Sequence, residues 1–431
     1  MTKQIHSGIA AGQVPEGYKL EHGYVIPKEW KVVHFNECFH RLTQKNTENS
    51  QNVLTISAQQ GLISQLDYYN TLYASEDKTG YFLLQKGNFA YNKSYSADYA
   101  YGAIKQLEKY DKGIVSPLYI CFSANEGTNT DFYRQYFEAG MFNREIYKIA
   151  QEGARNHGLL NVSTPEFFSA ALVFPPVDEQ KKIAEILSCC DRVIELKQQF
   201  IAELQRLKSG FLQAMFPAKG YSEPVIRFPE FSDAWEQRKL GDIYGSIGNA
   251  FVGTATPYYA EQGHFYLESN NVKDGQINHN SEIFINDEFY EKQKDKWVHT
   301  GDMVMVQSGH VGHAAVIPEE LDNTAAHALI MFRNPKEEIE PYFLNYEYQT
   351  DKTKRKIENI TTGNTIKHIL ASDMQEFIVD VPKYEEQKEI AGYFRSLDHL
   401  ITLHQRELEE TKKKKKSLAK LLLTGNVRVP T

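Results

Sequence analysis

Two stretches of this 431-residue sequence share one pattern. Residues 179–216 read EQKKIAEILSCCDRVIELKQQFIAELQRLKSGFLQAMF, and residues 386–423 read EQKEIAGYFRSLDHLITLHQRELEETKKKKKSLAKLLL. Placed against each other without a gap, 11 of the 38 positions hold the same residue. A repeat at a fixed offset indicates two structural units built on one plan.

Apolar residues in both stretches follow alternating steps of four and three. In the first they are Ile183, Leu187, Cys190, Ile194, Ile201, Leu204, Phe211 and Met215. In the second they are Ile390, Phe394, Leu397, Ile401, Leu408, Leu418 and Leu422. The remaining seam positions are polar: Lys197, Lys208, His404, Thr411 and Lys415. Heptad stepping predicts two helices, each with a narrow seam for one partner helix, and polar seam positions fix register and partner choice.

Both helices have recognisable ends. Prolines precede them, acidic residues occupy their first turns, and Pro217 and Gly425 follow them. These are ordinary start and stop signals, since acidic side chains complement the positive end of the helix dipole. A helix from Glu179 to Phe216 would be roughly 55 Å long at about 1.5 Å per residue, which indicates a spacer.

A globular stretch precedes each helix. One opens near Trp30 and the other near Trp235, and both contain short strand-like pieces broken by Gly, Asn and Ser turns. Helical stretches interleave with them, at Thr130–Ala139 in the first and Glu340–Gln349 in the second. The mixture predicts an α/β or α+β fold for each globular part and leaves the strand order open.

Composition narrows the class of protein. Hydrophobic residues make up 41% and charged residues 24%, which is ordinary for a globular chain. The net charge of −8 counts against a simple nucleic-acid binder, because affinity for phosphates comes from Lys and Arg. Any DNA contact is therefore expected to be local or shared with partners.

The compartment is expected to be the cytoplasm. The cysteines, at positions 38, 121, 189 and 190, show no disulfide or metal-ligand spacing, which indicates a reducing environment. No apolar run approaches the 18 residues of a membrane span, and Met1–Gly12 lacks a signal core, so neither a membrane partner nor export is expected.

No catalytic signature is found. Phosphate-binding glycine loops, dinucleotide fingerprints and the Asn-Pro-Pro-Tyr motif of amino-methyltransferases are missing, so no catalytic residue is predicted. Glu179 and Lys181, like Glu386 and Lys388, could belong to a nuclease metal site. Their place at helix starts favours a helix-dipole role instead.

A metal site at His310, His313 and His327 is also disfavoured. No Cys ligand and no HExxH helix accompanies these histidines. We therefore predict no metal site. The run Gln307–His313 is instead a polar turn after the apolar strand Met303–Val306, and it could either present hydrogen-bonding groups to base edges or be an ordinary loop.

Comparable polar turns recur, and they provide the candidate DNA-binding residues. Each half contains two such turns. One follows a strand in the middle of the half, and the other precedes the last strand. The first half contributes Asn92, Lys93, Ser94, Tyr95, Arg155, Asn156 and His157. The second half contributes Gln307, Ser308, His310, His313, Asn364, Thr365 and Lys367. Their residue types bond bases or phosphates, although a turn that the fold requires would recur as well.

Lys412–Lys416 is the densest run of charge. Such a run usually forms a solvated helix face, and contact with phosphate or with a partner protein is the alternative.

Taken together, these motifs resemble the specificity subunits of type I restriction-modification enzymes, over nearly the whole chain. The shared motifs are a Pro-x-x-Glu-Gln-x-x-Ile-Ala opening at Pro176–Ala184 and again from Pro382 to Ala391, the run Phe228–Phe231 leading to Trp235 and Lys239–Asp242, and the closing run Leu423–Val429. The first half departs from the pattern, because Ile26–Trp30 stands in place of a Phe-Pro-x-Phe motif.

The resemblance implies a non-catalytic subunit with two target-recognition domains, joined by two long antiparallel helices that form a coiled coil. Each domain would read one half of a bipartite, asymmetric site in double-stranded DNA. The implied partners are methyltransferase subunits that use S-adenosylmethionine and restriction subunits that use ATP and Mg²⁺, with no cofactor on this chain. The alternatives are an autonomous DNA methyltransferase or nuclease, and a scaffold that binds only proteins.

This interpretation predicts a division of the chain. Its parts are an N-terminal arm (1–24), a first recognition domain (25–177), a central helix (178–217), a linker with a second recognition domain (218–381), a C-terminal helix (382–424) and a tail (425–431).

Overall fold

The chain forms two compact units. A computed structural model describes residues 14–57, 60–94, 99–150, 160–363 and 367–430. Unit 1 comprises residues 1–197 and 407–431, and unit 2 comprises residues 198–406. The boundaries between the units fall within the two long helices, so each unit contains part of both. The predicted domain boundaries stay a prediction.

Unit 1 contains short strands, short helices and part of a long helix. Its strands are β1 (Tyr18–Glu21), β2 (Tyr24–Pro27), β3 (Lys31–His34), β4 (Phe39–Arg41), β5 (Leu54–Ser57), β6 (Gly61–Ser64), β7 (Phe82–Gln85), β8 (Phe89–Asn92), β9 (Ala103–Gln106), β10 (Lys112–Val115), β11 (Ile120–Ala124) and β12 (Ala171–Phe174). Its helices are α1 (Phe35–Cys38), α2 (Gln65–Tyr69), α3 (Thr130–Glu138), α4 (Asn143–Ile149), α5 (Thr164–Ser169) and the beginning of α6 (Val177–Ala214).

The central sheet of unit 1 has the strand order β4-β11-β8-β9, with all neighbours antiparallel. Strand β3 pairs with β12, which leads directly into α6. Phe35 lies at the centre of the core, with the Phe39 and Phe167 ring centroids 4.8 Å away and that of Phe122 5.0 Å away. Burial of these aromatic side chains fixes the sheet against α3 and α5.

Unit 2 follows with its own strands and helices. Its strands are β13 (Glu236–Lys239), β14 (Tyr244–Asn249), β15 (Tyr259–Ala260), β16 (His264–Leu267), β17 (Val272–Lys273), β18 (Gln276–Ile277), β19 (Phe284–Ile285), β20 (Met303–Val306), β21 (Ala314–Val316), β22 (Ala325–Ala326), β23 (Leu329–Pro335) and β24 (Ile378–Val381). Its helices are α7 (Leu240–Ile243), α8 (Asp287–Lys292), α9 (Pro341–Glu347), α10 (Asp351–Ile360), α11 (Ala371–Gln375) and the beginning of α12 (Tyr384–Leu423). Short 3₁₀ helices lie at Thr256–Tyr258, Ser269–Asn271, Lys294–Lys296 and Glu319–Leu321.

The central sheet of unit 2 repeats the order found in unit 1. Its strands run β14-β23-β20-β21, and β13 pairs with β24 just before α12. Each strand therefore has a counterpart at the same place in the unit 1 sheet. A second sheet, β15-β19-β16-β22, is added between β14 and β23 in the chain. The predicted mixed fold with two like units is confirmed.

The long helices run antiparallel within each unit. In unit 1, Asp191 pairs with Lys415 and Lys197 with Glu407. In unit 2, Lys208 pairs with Asp398, and the Phe211 ring lies 5.4 Å from the Tyr393 ring. Partner numbers on α12 fall as those on α6 rise, so the predicted antiparallel helix pair is confirmed.

Most predicted seam residues are buried. Cys190, Ile194, Phe211 and Leu418 are half-buried. Near the helix ends, further side chains are buried against the globular cores: Leu212, Phe216, Ala419 and Leu423. The apolar surface is wider there because the helix contacts both its partner helix and a sheet domain. Among the described residues, no helix combines the length and apolarity needed to cross a membrane.

Candidate DNA interface

The repeated glutamate at each long helix start is a buried anchor. In unit 1, Glu179 is fully buried and accepts hydrogen bonds from Trp30 Nε1 at 2.8 Å and from Arg428 Nε at 2.8 Å. In unit 2, Glu386 accepts from Trp235 Nε1 at 3.4 Å and from Arg227 Nε at 2.8 Å. Both carboxylates thus bind a Trp and an Arg of their own unit, which leaves neither free for the nuclease site considered above.

The repeated glutamine that follows attaches the globular domain to the helix. Gln180 donates from Nε2 to the Pro175 carbonyl at 2.8 Å and accepts from the Asn129 amide, at the start of α3, at 3.1 Å. In unit 2, Gln387 donates to the Pro382 carbonyl at 2.9 Å and accepts from the Glu340 amide, before α9, at 2.9 Å. Each globular fold is therefore held to its long helix by the same pair of contacts.

The two predicted turns of unit 2 meet. The turn after β20 and the segment near residue 367 are joined by hydrogen bonds from the Gly309 amide to the Lys367 carbonyl at 3.1 Å and from the Ile369 amide to the Gln307 carbonyl at 3.1 Å. Ser308 forms a β-bridge with His368. The structure thus brings Gln307, Ser308 and Lys367 together, whereas Asn364 and Thr365 lie outside the described residues.

These turns border an open cleft of about 670 Å³ in unit 2. Its lining includes the candidate residues His310, His313 and Lys367, together with Gln205 of α6 and Lys354 of α10. Sequence reasoning missed the last two, because they come from helices distant in the chain. The cleft presents amide, imidazole and ammonium groups, which suit base edges and phosphates.

The side chains that line the cleft of unit 2 shift the pKa of His313. Burial lowers the pKa of His313, the Asp274 carboxylate raises it, and the neighbouring side chains of His310, Lys354 and Lys273 lower it further. A lowered pKa favours the neutral form of this half-buried imidazole, which can accept or donate a hydrogen bond without adding to the local positive charge.

The metal alternative gains no support from the arrangement of these histidines. The His310 and His313 rings lie 6.3 Å apart. His327 is engaged elsewhere, with the Glu268 carboxylate and the Gly253 carbonyl. Within the part of the chain that the structure describes, no group of three or more His, Cys, Asp or Glu is placed to hold a metal ion.

Unit 1 places its candidate turn at the equivalent strand. Asn92 is the last residue of β8, and its Oδ1 accepts from the Ser94 amide at 3.0 Å. The Lys93 carbonyl accepts from the Leu160 amide at 2.9 Å, as the Gln307 carbonyl accepts from the Ile369 amide in unit 2. The candidates Tyr95, Arg155, Asn156 and His157 lie outside the described residues.

A cleft of about 430 Å³ in unit 1 lies between β9, α3 and α12. Tyr99 and Tyr101 line it, with Lys105 and, from α12, Lys416. Lys105 is ion-paired with Glu138 at 2.6 Å. Aromatic rings offer faces for stacking on bases or packing on sugars, so this cleft differs in chemistry from the cleft of unit 2. The DNA-binding role of the candidate residues stays a prediction.

Comparison with known proteins gives one consistent result. Residues 232–413 match the type I restriction modification DNA specificity domain. The chain is 22% identical over 424 residues to the type I restriction enzyme MjaVIII specificity subunit of Methanocaldococcus jannaschii, covering 96% of each chain. It is 25% identical over 432 residues to the putative MjaX specificity subunit of the same organism, covering 96% of this chain and 98% of that one.

A solved structure shares the fold. It comes from work on complex assembly and conformational transition of the type I R-M system, and its matching chain gives a TM-score of 0.57 at 16% identity. The match covers 94% of this chain and 100% of the other.

Proposed function

We propose that this chain, which belongs to the family of type I restriction-modification specificity subunits, selects the DNA site of such an enzyme by reading one half-site with each unit. The observation that carries the proposal is the repeated architecture. Both units have the same strand order, and both have a polar turn and a cleft at the same place relative to that sheet. Two units with the same fold but different side chains in their turns and clefts could each bind a different DNA sequence, as a bipartite, asymmetric site requires.

Base reading in unit 2 would fall to the turn after β20. Gln307 and His310 carry donors and acceptors of the kind that distinguish base pairs in the major groove. Lys354 and Lys367 would bind the phosphates on either side, which positions the turn without reading sequence. The net charge of −8 is compatible with this, because the positive charge is needed only at the clefts.

The long helices would also dock the catalytic subunits. On α6 and α12 within unit 2, Phe200 and Leu207 are each 48% exposed and Leu403 is 44% exposed. Val193 and Leu196 of α6 are exposed within unit 1. Exposed apolar side chains on long helices mark surfaces that a partner covers. We assign them to methyltransferase subunits, which would carry S-adenosylmethionine, while restriction subunits would supply ATP and Mg²⁺ chemistry.

Helix length would set the distance between the half-sites. At about 1.5 Å per residue, the 38 residues of α6 extend over roughly 57 Å. Half-sites one turn of DNA apart are separated by about 34 Å, which a helix of this length can span.

Exchange of one recognition region tests the assignment of half-sites. Residues 25–177 are replaced by the equivalent region of a relative with a different target, and the assembled methyltransferase is used to map methylated sites. One half-site should change while the other half-site and the gap stay the same. The matched exchange of residues 236–381 should alter the other half-site alone. A change of both half-sites by either exchange would contradict the proposal.

A second experiment distinguishes the alternatives. The purified chain is incubated alone with DNA, S-adenosylmethionine and Mg²⁺, and we expect neither methylation nor cleavage. Either activity would identify an autonomous enzyme. Absence of sequence-dependent DNA binding by the assembled complex would instead indicate a scaffold that binds only proteins.

A further inference from the structure

One face of α12 carries lysines whose charge is not neutralised. Residues 412–420 include six lysines and no acidic residue. Lys413, Lys416 and Lys420 are all exposed. Within the described part of the chain, the ion pairs include none that involves these three ammonium groups. Because they stand three and four residues apart, they lie on the same side of the helix.

The neighbouring lysines are paired. Lys412 contacts Glu409 at 2.7 Å, Lys414 contacts Glu410 at 3.7 Å, and Lys415 forms the pair with Asp191. The six lysines of residues 412–420 therefore form two sets with different contacts. Three of them stabilise the helix or the helix pair, and three form the unpaired set that we name the lysine face (Lys413, Lys416 and Lys420).

The lysine face borders the candidate interface of unit 1. Lys416 lines the same cleft as Tyr99 and Tyr101, which follow the turn after β8. The sheet strand β9 forms another wall of this cleft. A DNA duplex whose bases reach this cleft would pass close to the lysine face.

The equivalent positions of α6 differ. Subtracting the 207-residue offset gives Arg206, Ser209 and Gln213. Ser209 and Gln213 line the cleft of unit 2, and Arg206 is ion-paired with Glu203 at 3.2 Å. The same helix face thus borders the cleft in both units, but only in unit 1 does it carry free positive charge. In unit 2 the cleft has Lys354 and Lys367 from the globular fold instead.

We infer that the lysine face binds the phosphate backbone of duplex DNA beside the cleft of unit 1. The inference rests on the proposed function, since it requires that unit 1 reads DNA. From Lys413 to Lys420 the helix rises about 10 Å. Three steps along one DNA strand, from one phosphate to the third after it, span a similar distance at about 3.4 Å per step along the axis. The C-terminal helix is then a DNA-binding element of unit 1 as well as a spacer.

Salt dependence of DNA binding tests this inference. The variant K413Q/K416Q/K420Q is assembled with its methyltransferase subunits, and binding to a duplex containing the mapped site and to an unrelated duplex is measured by fluorescence anisotropy at several salt concentrations. Three lost phosphate contacts should reduce the slope of log affinity against log salt by about 2.7, because each contact contributes about 0.9. Both duplexes should lose affinity by the same factor, and the methylated sequence should stay unchanged.

A matched control is available on the same helix. The variant K412Q/K414Q removes two lysines that are already paired with Glu409 and Glu410, so its slope should remain that of the wild type. The arginine variant K413R/K416R/K420R should also retain the slope, because it keeps the charge. Circular dichroism of each variant shows that the helix is intact.

Several outcomes would overturn the inference. An unchanged slope for K413Q/K416Q/K420Q, with normal assembly, would show that the lysine face does not bind DNA. Loss of methyltransferase subunits on size-exclusion chromatography, with an unchanged slope for the assembled fraction, would identify a protein-binding face instead. If the wild-type complex failed to prefer its mapped site, the proposed function itself would be wrong.

Discussion

Glu179 and Glu386 show at the residue scale what the repeat preserves. Their position at a helix start predicts only a favourable interaction with the helix dipole. In the structure, each carboxylate also accepts hydrogen bonds from the side chains of a tryptophan and an arginine. Trp30 and Arg428 lie 149 and 249 residues from Glu179 in the chain, so no local pattern could reveal these contacts.

Removing the Glu386 charge should destabilise unit 2. The change Glu386→Gln leaves Arg227 without its carboxylate in a buried setting, and breaking such a pair costs about 3–5 kcal/mol. Urea unfolding of the full chain measures the effect. Glu385→Gln is the matched control, because Glu385 is exposed and should change the unfolding midpoint little. Equal effects of the two changes would contradict the anchoring role.

The pair His327 and Glu268 should make the stability of unit 2 depend on pH. Hydrogen bonding to Glu268 raises the pKa of His327, and hydrogen bonding to His327 lowers the pKa of Glu268. The histidine contribution is complete below its unfolded pKa of about 6.5 and is lost as pH rises through the folded pKa. The glutamate contribution is complete above about pH 4.3 and is lost as pH falls through the folded pKa.

Between about pH 4.3 and 6.5 both contributions are therefore complete. Thermal unfolding should show that stability falls more between pH 6 and pH 8 in the wild type than in His327→Asn. His399→Asn, on the exposed side of α12, should behave as the wild type. A parallel pH dependence in the wild type and His327→Asn would show that the pair does not contribute.

At the scale of elements, the heptad pattern predicted the two helices and most of their buried side chains. It did not predict the partners of the polar seam residues. Lys208 and Lys415 are equivalent in the repeat, and they pair with Asp398 and Asp191, which are also equivalent. The charge pattern alone could not identify these pairs, because their register depends on how two antiparallel helices align.

The ion pair between Lys208 and Asp398 should stabilise the helix pair in unit 2. Its atoms are 2.7 Å apart, and both side chains are less than one-fifth exposed. Asp398→Asn should lower the free energy of unfolding by about 2–4 kcal/mol, because Lys208 and the Tyr346 hydroxyl lose a charged acceptor. Reversing the pair with K208D/D398K should recover part of the loss.

Urea unfolding of the single and double variants measures the interaction free energy between Lys208 and Asp398. The exposed pair Glu410 and Lys414 provides a control, for which charge reversal should have little effect. Independent, additive effects at Lys208 and Asp398 would contradict a direct interaction.

At the scale of the whole molecule, the repeat predicted two like units, but not how their strands are ordered. That order depends on long-range pairing, such as β4 with β11, which no short pattern encodes. Where the structure describes the candidate turns, they follow β8 and β20, and the described parts of the two turns of unit 2 meet. The clefts were missed because Lys354, Gln205 and Lys416 come from helices that approach the turns only after folding.

Shortening both long helices together tests most directly whether they set the distance between the half-sites. Deleting residues 196–202 from α6 and 403–409 from α12 removes one heptad from each helix. The seam and the pairs Asp191–Lys415 and Lys208–Asp398 are retained. Each helix becomes about 10 Å shorter at 1.5 Å per residue, which corresponds to about three base pairs at 3.4 Å each.

The double deletion removes Leu196, Phe200 and Leu403 of the proposed docking surface but retains Val193 and Leu207, so size-exclusion chromatography first establishes that the methyltransferase subunits still assemble. Methylated sites are then mapped with the assembled methyltransferase. Both half-sites should keep their sequence, and the unread gap should become about three base pairs shorter. Deleting residues 196–202 alone, which destroys the register of the helix pair, should abolish modification. An active double-deletion complex that methylates the wild-type site with an unchanged gap would show that the long helices do not set the distance between the half-sites.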